Sequence, residues 1–243
     1  MKCLKMLNYI VKRLLLIIPI LFVVATLVFF LLRFVPGDPV DFILGENAVE
    51  ADRQALLEAQ HFDKPLLTQY HYYWKGILSL EFGQSYFSKR AVGDLIQERY
   101  PATLELAFLA ILWACAIAIP LGIMSALKKG KLFDQGCLVF SLFGISIPSF
   151  YLGPLLVLFF SIYLDLFPVA GREMPGSIIL PSFTLGAAMA ALLTRMTRSS
   201  MIDVLDKDFV RTANAKGLSR FVVVSKHALR SALVPVVAIL GCN

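Results

Sequence analysis

The sequence predicts an all-α, polytopic membrane protein with four complete transmembrane helices, the start of a fifth, and a small extracytoplasmic insertion after the first helix. Three observations lead there. Hydrophobic residues make up 58% of the 243 and charged residues only 16%, and the mean hydropathy is +0.74. A water-soluble domain carries about 45–50% apolar and about 25% charged residues, so this chain holds more apolar surface than a water-soluble core hides. The apolar residues are gathered into long runs, and 15 of the 23 basic residues fall in the alternate segments 1–13, 128–136 and 195–231.

A bilayer core about 30 Å thick needs about 20 apolar residues at 1.5 Å each. Residues 14–32 supply the first such run without a charge, following Lys2, Lys5, Lys12 and Arg13. The run exceeds the apolar length of a signal peptide and no small-residue cleavage site follows it, so it is expected to remain as a helix. Residues 102–127, 138–164 and 177–194 form three more. Residues 232–243 open a fifth, whose nine apolar residues 232–240 rise only about 14 Å; this is expected of a chain that is truncated at its C-terminus. Pro120, Pro148, Pro154 and Pro181 interrupt these runs and are expected to kink them.

Charge placement sets the expected topology. Residues 1–13, 128–136 and 195–231 carry four, three and eight Lys or Arg, whereas 165–176 carries one and 33–101 carries seven diluted by ten acids. The positive-inside rule puts the first set in the cytoplasm. The segments are then 1–32, a cytoplasmic N-terminus with the first helix; 33–101, an extracytoplasmic segment; and 102–243, a membrane core with helices over 102–127, 138–164 and 177–194, a cytoplasmic loop at 195–231 and a partial helix at 232–243. The net charge of +6 thus reports topology and not nucleic-acid binding. In 33–101, Pro36-Gly37-Asp38-Pro39 marks a turn, 48–60 is helix-prone, and Tyr70, His71, Tyr72, Tyr73 and Trp74 form an aromatic group expected to rest at the headgroup level.

Function classes narrow in the same way. Cys3, Cys115, Cys137 and Cys242 make no CxxC pair, and His61, His71 and His227 no zinc-binding spacing. No cofactor or metal is expected. An integral-membrane enzyme needs a nucleophile–base pair or a metal cluster at membrane depth, and no apolar run holds His, Lys or more than one acid. Glu105 lies four residues past Pro101; its placement is expected at the outer interface, with a role in a transport pathway as the other reading.

The most informative stretch is 203–235. Asp208 reads as an N-cap, Phe209 to Lys216 as two helical turns, and Gly217 as the left-handed residue that ends them. So short a helix is marginal alone, and a partner protein or the membrane surface is expected to pack on it.

This loop resembles the EAA loop of binding-protein-dependent ABC transporter permeases, in particular the peptide/nickel permease family of the oligopeptide and dipeptide permease B type. The general pattern is Glu-Ala-Ala, three residues, Gly; here the positions hold Arg211-Thr212-Ala213 and Gly217, similar to the Arg-Thr-Ala form of the peptide branch. Ten residues on, His227-Ala228-Leu229-Arg230 resembles the branch's continuation. Arg33 to Pro39, Glu81 to Tyr86, Arg99 to Leu106 and Thr197 to Met201 resemble further family segments in the same order. The resemblance implies a bacterial inner-membrane subunit of an ATP-driven importer for oligopeptides or dipeptides. It pairs with a second permease subunit, two ABC ATPase subunits and an extracytoplasmic solute-binding protein that delivers peptide. Nickel or another small solute is the alternative substrate, and a truncated, non-functional fragment the alternative status. The resemblance also implies that Asp208, Arg211, Thr212, Ala213, Gly217, His227, Leu229 and Arg230 form the ATPase-coupling surface. No Walker motif occurs in the sequence, so ATP hydrolysis is expected on a separate chain.

Overall fold

A computed structural model of the chain describes residues 2–34, 39–45, 49–59, 61–85 and 87–241. The residues Pro36, Gly37 and Asp38 of the expected turn, together with Tyr86, Cys242 and Asn243, lie outside them. Among the described residues every regular element is a helix, apart from one isolated antiparallel bridge between Gln84 and Ala91. The chain divides into two compact units, Met1–Glu98 and Arg99–Asn243.

In the first unit, α1 (Lys2–Phe34) contains a 27-residue apolar stretch, Asn8–Phe34, long enough to cross a membrane. Most of its large side chains are exposed on every side, as befits a helix whose solvent is lipid. Two short helices follow, α2 (Pro39–Leu44) and α3 (Glu50–Ala59), and then α4 (Leu66–Ser79). The aromatic group expected as a headgroup belt does something more specific: it packs α4 onto α1. Trp74 stacks on Phe22 with ring centroids 4.9 Å apart, the Tyr73 hydroxyl donates to the carbonyl of Ala25 at 3.1 Å, and the Tyr70 hydroxyl pairs with Thr26 at 2.8 Å. At the other end Arg33 donates to Gln69 at 3.2 Å and lies over the Phe29 ring. The polar edge of an otherwise apolar ring is what lets Tyr70 and Tyr73 bond to another helix here, while Trp74 binds by stacking alone.

The second unit is a helical bundle built around α8. The helix α5 (Val92–Leu127) begins ten residues before the apolar run expected at 102–127, with Pro101 and Pro120 inside it. The run expected as one helix over 138–164 is broken. It forms α6 (Leu132–Ser146) and α7 (Ser149–Leu156, continuing as a wide π-helical turn over Val157–Tyr163), which meet at 101°. The cause is Pro148. Its ring disfavours helical backbone at the residue before it, and Ile147 is accordingly extended (φ −79°, ψ 117°).

Two further expectations shift. The run at 177–194 is the core of α8 (Ile179–Leu205), which continues eleven residues past it because nothing from Arg195 onward breaks a helix. The fifth helix, expected from 232, begins at Arg220: α10 (Arg220–Val222, continuing as a π-helical stretch over Val223–Ala228) leads directly into α11 (Leu229–Leu240), and together they are long and apolar enough to span. Of the four prolines expected to interrupt helices, only Pro148 makes a break; Pro120 and Pro154 lie within helices. The described helices thus hold four candidate spans, or five if α6 and α7 make one.

The bundle is held by small residues. Gly186 brings α8 so close to α5 that a β-carbon there would lie 2.6 Å from the carbonyl oxygen of Ala110. Gly122 faces Thr197 in the same way at 2.6 Å, and Gly144 faces Ala191 at 2.7 Å. Buried Ala114, Ala118, Ala190 and Leu193 pack with Val236 of α11. In a membrane, where lipid tails are as apolar as leucine, close contact of this kind drives helix association.

Candidate functional site

The loop between α8 and α10 is mostly helix. α9 (Asp208–Ala215) starts one residue earlier than the sequence suggests: Lys207 is the N-cap, and Asp208 is the first helical residue, with its carboxylate exposed. An acid in the first turn still opposes the partial positive charge of the helix end. Arg211 sits 3.6 Å from Asp208 one turn on, both largely exposed, and Thr212 donates its hydroxyl to the carbonyl of Asp208 at 2.9 Å. Gly217 has φ +74°, the left-handed conformation that ends the helix without a β-carbon clash.

The packing of α9 divides its residues into two faces. Val210 and Ala213 are buried, in one cluster with Ala126 of α5, Met201 and Val204 of α8, Val223 and Ala228 of α10, and Ala232 of α11. Ala213 therefore seats α9 on its own bundle and is not available to an outside helix. Phe209, Arg211, Thr212, Asn214 and Lys216 face outward. Leu218 and Phe221 continue this exposed surface, the latter 80% exposed. His227 and Leu229 are half-buried and Arg230 is exposed; Leu229 packs on the same cluster as Ala213. Of the eight residues taken together from the sequence, Ala213 and Leu229 meet in one apolar cluster, while Asp208, Arg211, Thr212, Gly217 and Arg230 are exposed.

Glu105 stands apart, on α5. It lies 3.5 Å from Arg172, both more than half exposed, and a pair so open to its surroundings contributes little to stability.

Sequence reasoning missed the most tightly built polar group in the bundle. Asp134 of α6 is 2% exposed. Its two carboxylate oxygens accept from Arg198 of α8, Nε at 2.5 Å and Nη2 at 2.8 Å, in the two-pronged geometry a guanidinium allows. They also accept from the Ser125 hydroxyl at the end of α5 at 2.5 Å and from the Gly130 N–H in the α5–α6 turn at 2.9 Å. A buried carboxylate is tolerable only when its lone pairs are satisfied this fully. The signal was present in the sequence: Asp134 is the only acid between Glu105 and Asp165, and an acid at the edge of an apolar run needs a partner.

Apolar helices around a small-residue bundle, with a short amphipathic helix seated at one end, define a multi-pass α-helical membrane protein. Residues 118–243 match the family described as binding-protein-dependent transport system inner membrane component, and residues 6–107 match its companion, the N-terminal part of the same membrane component. The chain is 41% identical over 236 residues to the glutathione transport system permease protein GsiC of Escherichia coli (strain K12), covering 97% of this chain and 77% of that one. It is 43% identical over 237 residues to the protein of the same name from Salmonella typhi, with the same coverage. The chain belongs to the family of binding-protein-dependent inner-membrane permease components.

Proposed function

We propose that this chain is one permease subunit of an ATP-driven importer for short peptides, lining part of the pathway and coupling through α9 to an ATPase on a separate chain. One observation carries the coupling part: α9 is anchored by Val210 and Ala213 to helices of three spans, while Phe209, Arg211 and Thr212 stay exposed. A helix fixed on one face and open on the other transmits a push. The peptide part is supported by relatives named for the transport of glutathione, itself a peptide-like molecule. The distribution of Lys and Arg supports a cytoplasmic N-terminus with α9 on the same side. A second permease subunit and an extracytoplasmic binding protein complete the assembly, as the family description implies.

The test is reconstitution of the chain with its cognate second permease, ATPase and binding protein in proteoliposomes, measuring uptake of labelled di-, tri- and oligopeptides with ATP hydrolysis. Peptide uptake that requires both ATP and the binding protein is expected. Uptake of nickel but of no peptide would reassign the substrate, and loss of the ATPase on purification of an intact permease pair would remove the coupling role.

A further inference from the structure

We infer that Asp134 and Arg198 form a strut that makes the ends of α5, α6 and α8 move with α9 as one rigid body, so that a push on α9 reaches all three helices. The inference rests on the coupling role proposed above for α9 and names the residues through which that role acts inside this chain.

Three observations converge on it. Asp134 joins three elements at one point: α8 through Arg198, the end of α5 through Ser125, and the α5–α6 turn through Gly130. Arg198 stands seven residues before Leu205, about 10 Å along the helix axis from where α8 hands over to α9. Finally, α9 is seated on those same ends, since Val210 and Ala213 share their cluster with Ala126 of α5 and with Met201 and Val204 of α8. The apolar seat alone is a sliding contact, because packed side chains are non-directional. The two-pronged guanidinium contact is directional and fixes α6 to α8 in rotation as well as distance. Without it α9 remains attached to α8 by the chain, but α6 is held to α8 only by apolar packing such as that of Gly144 on Ala191, with no directional contact beside α9.

A merely structural pair and a strut are separable. Asp134→Leu combined with Arg198→Met replaces the charges by apolar groups, a change buried ion pairs often tolerate, and it removes the links to Ser125 and Gly130. Arg198→Lys keeps the charge and loses the fork. Both are placed in the complete reconstituted transporter. Spin labels at Lys131→Cys and Asn214→Cys, two exposed positions, report the separation of the α5–α6 turn from α9 with and without trapped nucleotide.

In the otherwise native transporter the two distance distributions are expected to superimpose. In the Leu/Met variant the assembly and basal ATP hydrolysis are expected to persist. Its distribution shifts or broadens on trapping, and uptake per ATP falls about tenfold, within the usual span of coupling effects; Arg198→Lys falls between. A native distance that changes on trapping overturns the inference, as does uptake per ATP that stays native in the Leu/Met variant. Should that variant fail to assemble, the native distance pair still decides. If the native transporter itself shows no uptake dependent on ATP and the binding protein, the coupling proposal fails; a native distance that nevertheless superimposes leaves the rigid unit standing.

Discussion

Gly186→Ala is the sharpest test of the bundle, because the structure fixes both the sign and the size of its effect. A methyl group at 186 would sit 2.6 Å from the Ala110 carbonyl oxygen, 3.2 Å from the Trp113 β-carbon and 3.4 Å from the Ala110 carbonyl carbon. Two of these three atoms are backbone, so no rotamer change relieves the clash and α5 must move away from α8. Overpacking of this kind costs about 1–3 kcal/mol. Against it stands the gain of replacing glycine by alanine within a helix, at most about 1 kcal/mol. With the full propensity gain subtracted, the expected net destabilisation is up to about 2 kcal/mol, and it is about 1–3 kcal/mol relative to a glycine-to-alanine change that makes no clash. Gly136→Ala, within α6, is the internal control: a β-carbon there meets nothing within 4 Å, so the propensity gain stands alone and the variant is expected to match or slightly exceed the wild type. Thermal unfolding of the purified protein in mild detergent, followed by helical circular dichroism, measures both. A Gly186→Ala protein as stable as Gly136→Ala would refute the close approach of α5 and α8.

Other expectations are as direct. Arg198→Leu leaves the Asp134 carboxylate buried without its cation and is expected to cost about 3–5 kcal/mol, visible as a large fall in melting temperature, whereas the Leu/Met double variant loses much less. Gly217→Ala meets no steric neighbour, so its cost is the left-handed backbone alone, about 1–2 kcal/mol; loss of transport with intact membrane insertion is the expected readout. Ala213→Trp cannot fit the cluster beneath α9 and is expected to release that helix, seen as new protease cleavage near 207–217 even in the absence of any ATPase. Thr26→Val removes the 2.8 Å bond to Tyr70 and is expected to loosen α4 from α1 by about 1 kcal/mol, read from exchange of the α4 amides.

The class of fold was legible because hydropathy is a property of segments and survives without any knowledge of contacts. The ends of the helices were not. Hydropathy ends the fourth run at 194, where charges begin, but hydrogen bonding in α8 continues to Leu205 because Arg, Ser and Met are adequate helix formers. The same confusion of apolar with helical delayed the fifth helix from Arg220 to 232. The break at Pro148 was written in the sequence as a proline, yet three other prolines looked alike, and only the packing of α6 and α7 on α8 distinguishes the one that bends by 101°. For the site, motif spacing found α9 and its terminal glycine. It assigned Ala213 outward, because a motif records which residue type is required and not which neighbour requires it. The partnership of Asp134 with Arg198 spans 64 positions and follows from no local pattern.

The wide turn at Val223–Ala228 bears on how such a chain tolerates insertion and deletion. A π-helical stretch is in effect an α-helix carrying one surplus residue. Deleting a single residue there leaves a continuous hydrogen-bonded helix, where deletion in α8 would rotate every later contact by about 100°. The segment joining the anchorage of α9 to the span of α11 is thus a place where length is adjustable by single residues, as is Val157–Tyr163 beyond α7, and the orientation of α11 against α8 is adjusted with it.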